Sequence, residues 1–139
     1  DFNISHSGQY VICAIAEELA IGVDIEAANS IDFNDFETVM NEDQWKLIKA
    51  SESPTRKFFE YWTIKESIIK ADGRGLGIPL TELIWNGTEL LHEGHKWYFQ
   101  SVDIDDHYPC HLATNRPEIV VTTKEVDFLD TTVLRRLNQ

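Results

Sequence analysis

Two acidic residues at alternate positions, Asp24 and Glu26, close the phrase Ile21-Gly22-Val23-Asp24-Ile25-Glu26. On a strand, residues i and i+2 share a face, so both carboxylates point one way while Ile25 points into a core. Like charges so placed repel unless a cation or a proton comes between them. A third carboxylate, Glu66, lies in Trp62-Thr63-Ile64-Lys65-Glu66-Ser67-Ile68-Ile69-Lys70. Helical positions four apart lie about 40° apart around the axis, so Trp62, Glu66 and Lys70 form one row. An anionic Glu66 on an aromatic-rich face needs a partner, because isolated buried charge is costly. Two plain alternatives stand beside any functional role. Asp24 and Glu26 can be a solvated strand end, and Glu66–Lys70 an ion pair worth about 0.3–0.5 kcal/mol when exposed.

The chemistry these carboxylates would share is to hold a divalent cation. Hard oxygen ligands suit Mg²⁺, which keeps several waters and takes further ligands from substrate phosphates. Three carboxylates without a neighbouring histidine suit magnesium, with Mn²⁺ as the alternative, better than zinc. A cation there would let an acidic chain bind an anion. The chain has 12 Lys and Arg against 24 Asp and Glu, a net charge of −12. Only residues 51–80 escape the excess, with 5 basic and 4 acidic residues. The balance argues against nucleic acid or an anionic membrane as the main partner.

These residues need a strand and a helix to hold them. Tyr10–Ile15 and Ile21–Ile25 read as strands. Residues 32–40 and Glu42–Ala50 read as short helices, the second capped by Asn41. Ser53 as cap and Pro54 at the first helical position open a longer helix to Asp72, which Gly73 stops. Beyond it, residues 83–85, 96–104, 110–113 and 119–123 read as strands, and 130–137 as a short surface helix. The sum is an α+β fold, an antiparallel sheet packed on one long helix. With 139 residues, 42% apolar and four Trp, the chain fits one domain or half of a larger one. Cys13 and Cys110 sit in apolar runs without a C-x-x-C pattern, which predicts buried free thiols in a reducing cytoplasm. No apolar run approaches membrane-spanning length. The chain opens at Asp1 inside a strand-like phrase, from which an N-terminal truncation is expected.

Three other patterns carry less. Ser5 and His6, as strand neighbours, face opposite sides and make a poor nucleophile–base pair. His92, His95, His107 and His111 have no cysteine at finger spacing and read as solvated. Gly73-Arg74-Gly75-Leu76-Gly77 follows a helix, whereas phosphate-cradling loops precede one.

Three phrases in order carry a resemblance. They are Phe2-Asn3-Ile4-Ser5-His6-Ser7-Gly8, then the phrase ending in Asp24-Ile25-Glu26, then Phe59-Glu60-Tyr61 running into Trp62-Thr63-Ile64-Lys65-Glu66-Ser67-Ile68-Ile69-Lys70. Together they resemble the Sfp-type 4′-phosphopantetheinyl transferases, whose marks are N-x-S-H-S, G-[IV]-D-x-E and W-x-x-K-E-[SA]-x-x-K. The resemblance is closest from residue 2 to about 80 and looser to about 126.

The resemblance implies a fold of two similar halves related by a pseudo-twofold axis, with coenzyme A in the cleft between them. Residues 1–20 would end the first half, 21–128 would form the second with the metal site, and 129–139 would be a tail. It implies Asp24, Glu26 and Glu66 as magnesium ligands, Glu66 as the base, and Lys70 on the diphosphate. It also places Ser5, His6 and Lys65 on coenzyme A, and Arg74 in a run that the family shares. The implied reaction moves 4′-phosphopantetheine from coenzyme A to a serine of an apo acyl or peptidyl carrier protein, releasing 3′,5′-adenosine bisphosphate. The basic groups for the 3′-phosphate would belong to a missing N-terminal half. The chain alone is then expected to be nearly inactive, with an uncovered face open to that half or to self-association. A non-catalytic module that binds metal or coenzyme A is the other reading.

Overall fold

An edge strand is usually a row of unpaired backbone groups, and the placement of one such strand organises this molecule. The computed structural model describes residues 1–126. Strands β1 (Phe2–Ser7) and β2 (Tyr10–Ile15) form an antiparallel hairpin with Ser7 opposite Tyr10. Strand β3 (Ile21–Ile25) is one edge of a four-stranded antiparallel sheet. The order is β3-β6-β5-β4, with β4 at Glu89–His92, β5 at His95–Ser101 and β6 at Cys110–Thr114. Helix α1 spans Glu42–Ala50 and helix α2 spans Pro54–Asp72.

The caps follow the local sequence. Asn41 Oδ1 accepts from Gln44 N at 2.8 Å, and Gln44 Oε1 accepts from Asn41 N at 3.2 Å, a reciprocal capping box that starts α1. Pro54 opens α2, but the Ser53 side chain makes no capping bond. Gly73, at φ 83°, ends α2 in the left-handed conformation that favours glycine.

Helix α2 is packed on two sides, as its apolar residues predict. Ile64, Ile68 and Ile69 meet Leu90, Trp97, Phe99 and Ala113 of the sheet. Phe58, 1% exposed, sits among Val39, Met40, Ile48, Phe33, Phe36 and Trp45. The other sheet face carries Ile21, Val23, Ile25, Cys110 and Leu112 against Tyr10, Ile12 and Ala14 of β2. Gly22 sets how closely β3 lies on α2: a Cβ there would run into the backbone carbonyl of Ser67. The glycine in Ile21-Gly22-Val23-Asp24 is thus required by backbone approach.

Several elements differ from expectation. Residues 32–40 contain a single 3₁₀ turn at Phe33–Phe36. Asp32 Oδ1 takes the Asn34 N–H at 3.0 Å, a local bond that competes with continued helix. Residues 83–85 form no strand: Leu83 ends the 3₁₀ turn Leu80–Glu82, and its carbonyl accepts from Gln44 Nε2 at 3.0 Å. Strand β4 escaped the sequence reading because Glu89-Leu90-Leu91-His92 lacks β-branched residues. Residues 119–123 are irregular after Pro117 and the positive φ of Glu118, and Val120 is 94% exposed. Cys110 is buried, but Cys13 faces solvent on the outer side of the hairpin. His92 and His111 are buried rather than solvated. The helix expected at residues 130–137 lies outside the described residues.

Candidate active site

Asp24 lies one residue from the C-terminal end of β3, opposite His111 on β6, and is 4% exposed. Its Oδ1 accepts from Lys70 Nζ at 3.0 Å and from Ser5 Oγ at 3.2 Å. Its Oδ2 is buried with no hydrogen-bond partner. Lys70 Nζ also donates to the Val23 carbonyl at 3.0 Å, so α2 is tied to β3 at this point. Lys70 thus pairs with Asp24, and not with Glu66 as the simple i,i+4 alternative had it.

Glu26 and Glu66 are half-buried near this pair. Burial pushes the Asp24 carboxyl up to about 7; Lys70 opposes the rise, while Glu26 and Glu66 add to it. Burial also raises Glu26, opposed by a hydrogen bond from Trp62, by Lys70 and by Ser7. Glu66 rises for the same first reason, with Lys70 lowering it and Glu26 raising it. Glu26 and Glu66 raise Asp24, and Glu26 raises Glu66, so a cation or a shared proton is favoured among these carboxylates.

The donor set fits a hard divalent cation in its chemistry: carboxylate oxygens, one of them an orphaned buried atom. Among the described residues, no three His, Cys, Asp or Glu side chains are gathered closely enough to enclose a metal ion by themselves.

The remaining expected residues divide. Ser5 is 4% exposed, and its hydroxyl both accepts from Ile25 N at 3.1 Å and donates to Asp24. Its one hydroxyl proton is directed at Asp24 in this structure. His6 points to the exposed outer face of the hairpin, opposite Val11. Lys65 is fully buried, and its Nζ donates to the Val39 carbonyl at 2.8 Å, Gln44 Oε1 at 2.7 Å and the Leu80 carbonyl at 2.8 Å. The helix turns it to the α1 side, where it clasps these three oxygens. Burial pushes its ammonium down to about 7. Arg74 is held by Asp72 and Glu93.

The sequence reading missed Ser7 as a partner of Glu26 and Thr63 as a partner of His111. The signal for Ser7 was present: Asn3, Ser5 and Ser7 alternate, so three polar side chains face one way and require partners. For Thr63–His111 there was none, since their 2.8 Å contact joins residues 48 apart in sequence.

Residues 20–121, which hold every carboxylate of this site, match the family model of the 4′-phosphopantetheinyl transferase superfamily. The chain belongs to that superfamily. It is 47% identical over 81 residues to the 4′-phosphopantetheinyl transferase gsp of Aneurinibacillus migulanus, covering 57% of this chain and 34% of that one. It is 34% identical over 116 residues to the transferase Sfp of Bacillus subtilis, covering 81% and 48%. To the L-aminoadipate-semialdehyde dehydrogenase-phosphopantetheinyl transferase of Rattus norvegicus it is 29% identical, covering 85% and 47%. The chain spans about half the length of most of these relatives. The fold is similar to that of Thermotoga maritima holo-[acyl-carrier-protein] synthase, with a TM-score of 0.53 at 16% identity over 69% of this chain and 62% of the other. The superfamily's fold is thus the fold of this chain.

Proposed function

We propose that this chain carries the metal-binding part of an enzyme that transfers 4′-phosphopantetheine from coenzyme A to a serine of an apo acyl or peptidyl carrier protein. The observation that carries the reading is the buried, partnerless Oδ2 of Asp24, set beside Lys70 and two further acidic groups. Asp24, Glu26 and Glu66 would hold Mg²⁺ or Mn²⁺, which when bound neutralises charge on a diphosphate. Coenzyme A supplies that diphosphate.

The chain's own groups then divide the work. Glu66, whose proton affinity burial has raised, takes the proton of the attacking serine. The serine oxygen bonds to the β-phosphorus, the bond from that phosphorus to the bridging oxygen breaks, and 3′,5′-adenosine bisphosphate leaves with the electron pair. Lys70, 27% exposed at its side chain, faces the developing negative charge. His6, exposed on β1, is available for a phosphate oxygen.

The hairpin's outer face leaves Phe2, Ile4, Val11 and Ile15 more than half exposed. A face of that kind supports a cover from the rest of the protein, or failing that from a second copy, with this chain alone nearly inactive. Free Cys13 on that face suits a reducing cytoplasm. Among the described residues no helix is long and apolar enough to cross a membrane.

The test mixes the intact protein with coenzyme A, Mg²⁺ and an apo carrier, and weighs the carrier by mass spectrometry. A phosphopantetheine-sized gain is expected, lost with chelator and lost in Asp24→Ala or Glu66→Gln variants that remain folded. No gain on any of several carriers, with coenzyme A binding retained, puts the non-catalytic module in its place.

A further inference from the structure

We propose that the hydroxyls of Ser5 and Ser7 are positioning groups that aim the Asp24 and Glu26 carboxylates at a divalent cation. The inference rests on the cation-binding reading of those carboxylates given above. It starts from the open edge of β3. Strand β6 pairs with one side of β3, which leaves the N–H groups of Val23 and Ile25, and of Ala27 beyond it, pointing outward. Strand β1 runs beside this edge but meets it with side chains in place of a backbone ladder. Asn3 Oδ1 accepts from Val23 N at 3.0 Å, Ser5 Oγ from Ile25 N at 3.1 Å and Ser7 Oγ from Ala27 N at 3.0 Å.

A serine oxygen that accepts one bond still has a proton to give. Ser5 Oγ gives it to Asp24 Oδ1 at 3.2 Å, and Ser7 Oγ to Glu26 Oε2 at 3.5 Å. The same two-bond unit therefore occurs twice, one strand period apart: each serine takes the N–H after a carboxylate residue and donates to that carboxylate. Asn3 makes only the first half of the unit, because the residue before Val23 is Gly22 and has no side chain.

Holding one oxygen fixes the direction of the other. Ser5 and Lys70 both engage Asp24 Oδ1, which leaves Oδ2 as the oxygen presented without a partner. Hydrogen bonds of this kind to a ligating carboxylate orient it, and their loss weakens metal binding. The Ser7–Glu26 contact is longer than the Ser5–Asp24 one, so Ser7 has the lesser control.

Asn3 makes the inference separable from a plain structural role. Mn²⁺ is titrated into the intact protein by electron paramagnetic resonance, without coenzyme A or carrier, and thermal melting is followed in parallel. Ser5→Ala is expected to raise the Kd for Mn²⁺ about tenfold or more, and Ser7→Ala by a smaller factor, while Asn3→Ala lowers the melting temperature but keeps Kd within about twofold. Ser5→Thr, which keeps the hydroxyl on a strand-compatible side chain, is expected to bind as the parent does. If Ser5→Ala binds Mn²⁺ like the parent, or Asn3→Ala weakens binding as much, the serines only hold the strand and the inference is wrong. Should Ser5→Ala fail to fold, Ser7→Ala against Asn3→Ala decides: a rise in Kd confined to Ser7→Ala upholds it, and equal values overturn it. Asp24→Asn separates the two layers. If the parent shows no saturable binding, or Asp24→Asn binds equally well, the carboxylate reading itself fails and this inference falls with it.

Discussion

Lys65 and Lys70 stand five residues apart on α2, in one short phrase, and face two different regions of the molecule. Lys65 turns toward α1 and the 3₁₀ turns, where three oxygens surround an ammonium with no solvent contact. Lys70 turns toward β3, where it bonds one carboxylate and one carbonyl and keeps part of its side chain in solvent. The first region is closed and fully satisfied. The second keeps a buried oxygen without a partner and three acidic groups in mutual tension. The contrast teaches that a lysine in a signature phrase can belong to the scaffold as readily as to the chemistry, and that helix face decides which.

The sharpest break between the regions is a matched pair of substitutions. Lys65→Met strands three buried acceptors, and roughly 3–5 kcal/mol of stability is expected to be lost, as read by urea unfolding. A loss under about 1 kcal/mol would mean that the clasp is not structural and would return Lys65 to the site.

A pH series tests the sheet-facing side next. His111 Nδ1 lies 2.8 Å from Thr63 Oγ1 of α2, and burial pushes the imidazole down from 6.5 to about 4. The unfolded chain then binds the extra proton between those values, so this contribution is complete above about 6.5 and is lost as pH falls toward about 4. At about 1.4 kcal/mol per unit it amounts to about 3 kcal/mol. Asp24, raised to about 7, works in the opposite sense, losing stability as pH rises through the interval from 3.8. The difference between the parent and His111→Gln, measured by urea unfolding from pH 4 to 7, isolates the histidine. A flat difference would show that His111 is not held neutral against α2.

The third test is the mirror of the first. Lys70→Met is expected to slow transfer about 100-fold, the usual cost of one donor facing developing charge. Its stability should change by no more than about 1 kcal/mol, because Asp24 keeps Ser5 and can accept a proton. Strong unfolding with little loss of rate would reverse the assignments of the two lysines.

Much of this was legible in the sequence. The Asn41 cap, the Pro54 start and the Gly73 stop are local, and local bonds carry their own signals. So is the alternation that sets Asp24 of β3 and Glu26, just past its end, to one side. The Leu90-Leu91 strand was not, because its partner β5 decides its conformation. Residues 32–40 misled for the reverse reason: a helix-like pattern of Phe33 and Phe36 serves to pack against Phe58, while Asp32 bonds its own turn.

By itself, the sequence determined that Asp24 on a strand, Glu26 two residues on and Glu66 on a helix would be presented by regular elements, since side-chain period follows from backbone geometry alone. It also carried the phrases by which the superfamily is known. Tertiary structure alone decided that Lys70 bonds Asp24, that Lys65 closes on Val39, Gln44 and Leu80, and that Ser5 faces inward to hold a carboxylate. Each of those choices joins residues at least 15 apart in sequence. Their geometry is fixed by where Gly22 lets β3 meet α2, a distance that no local pattern encodes.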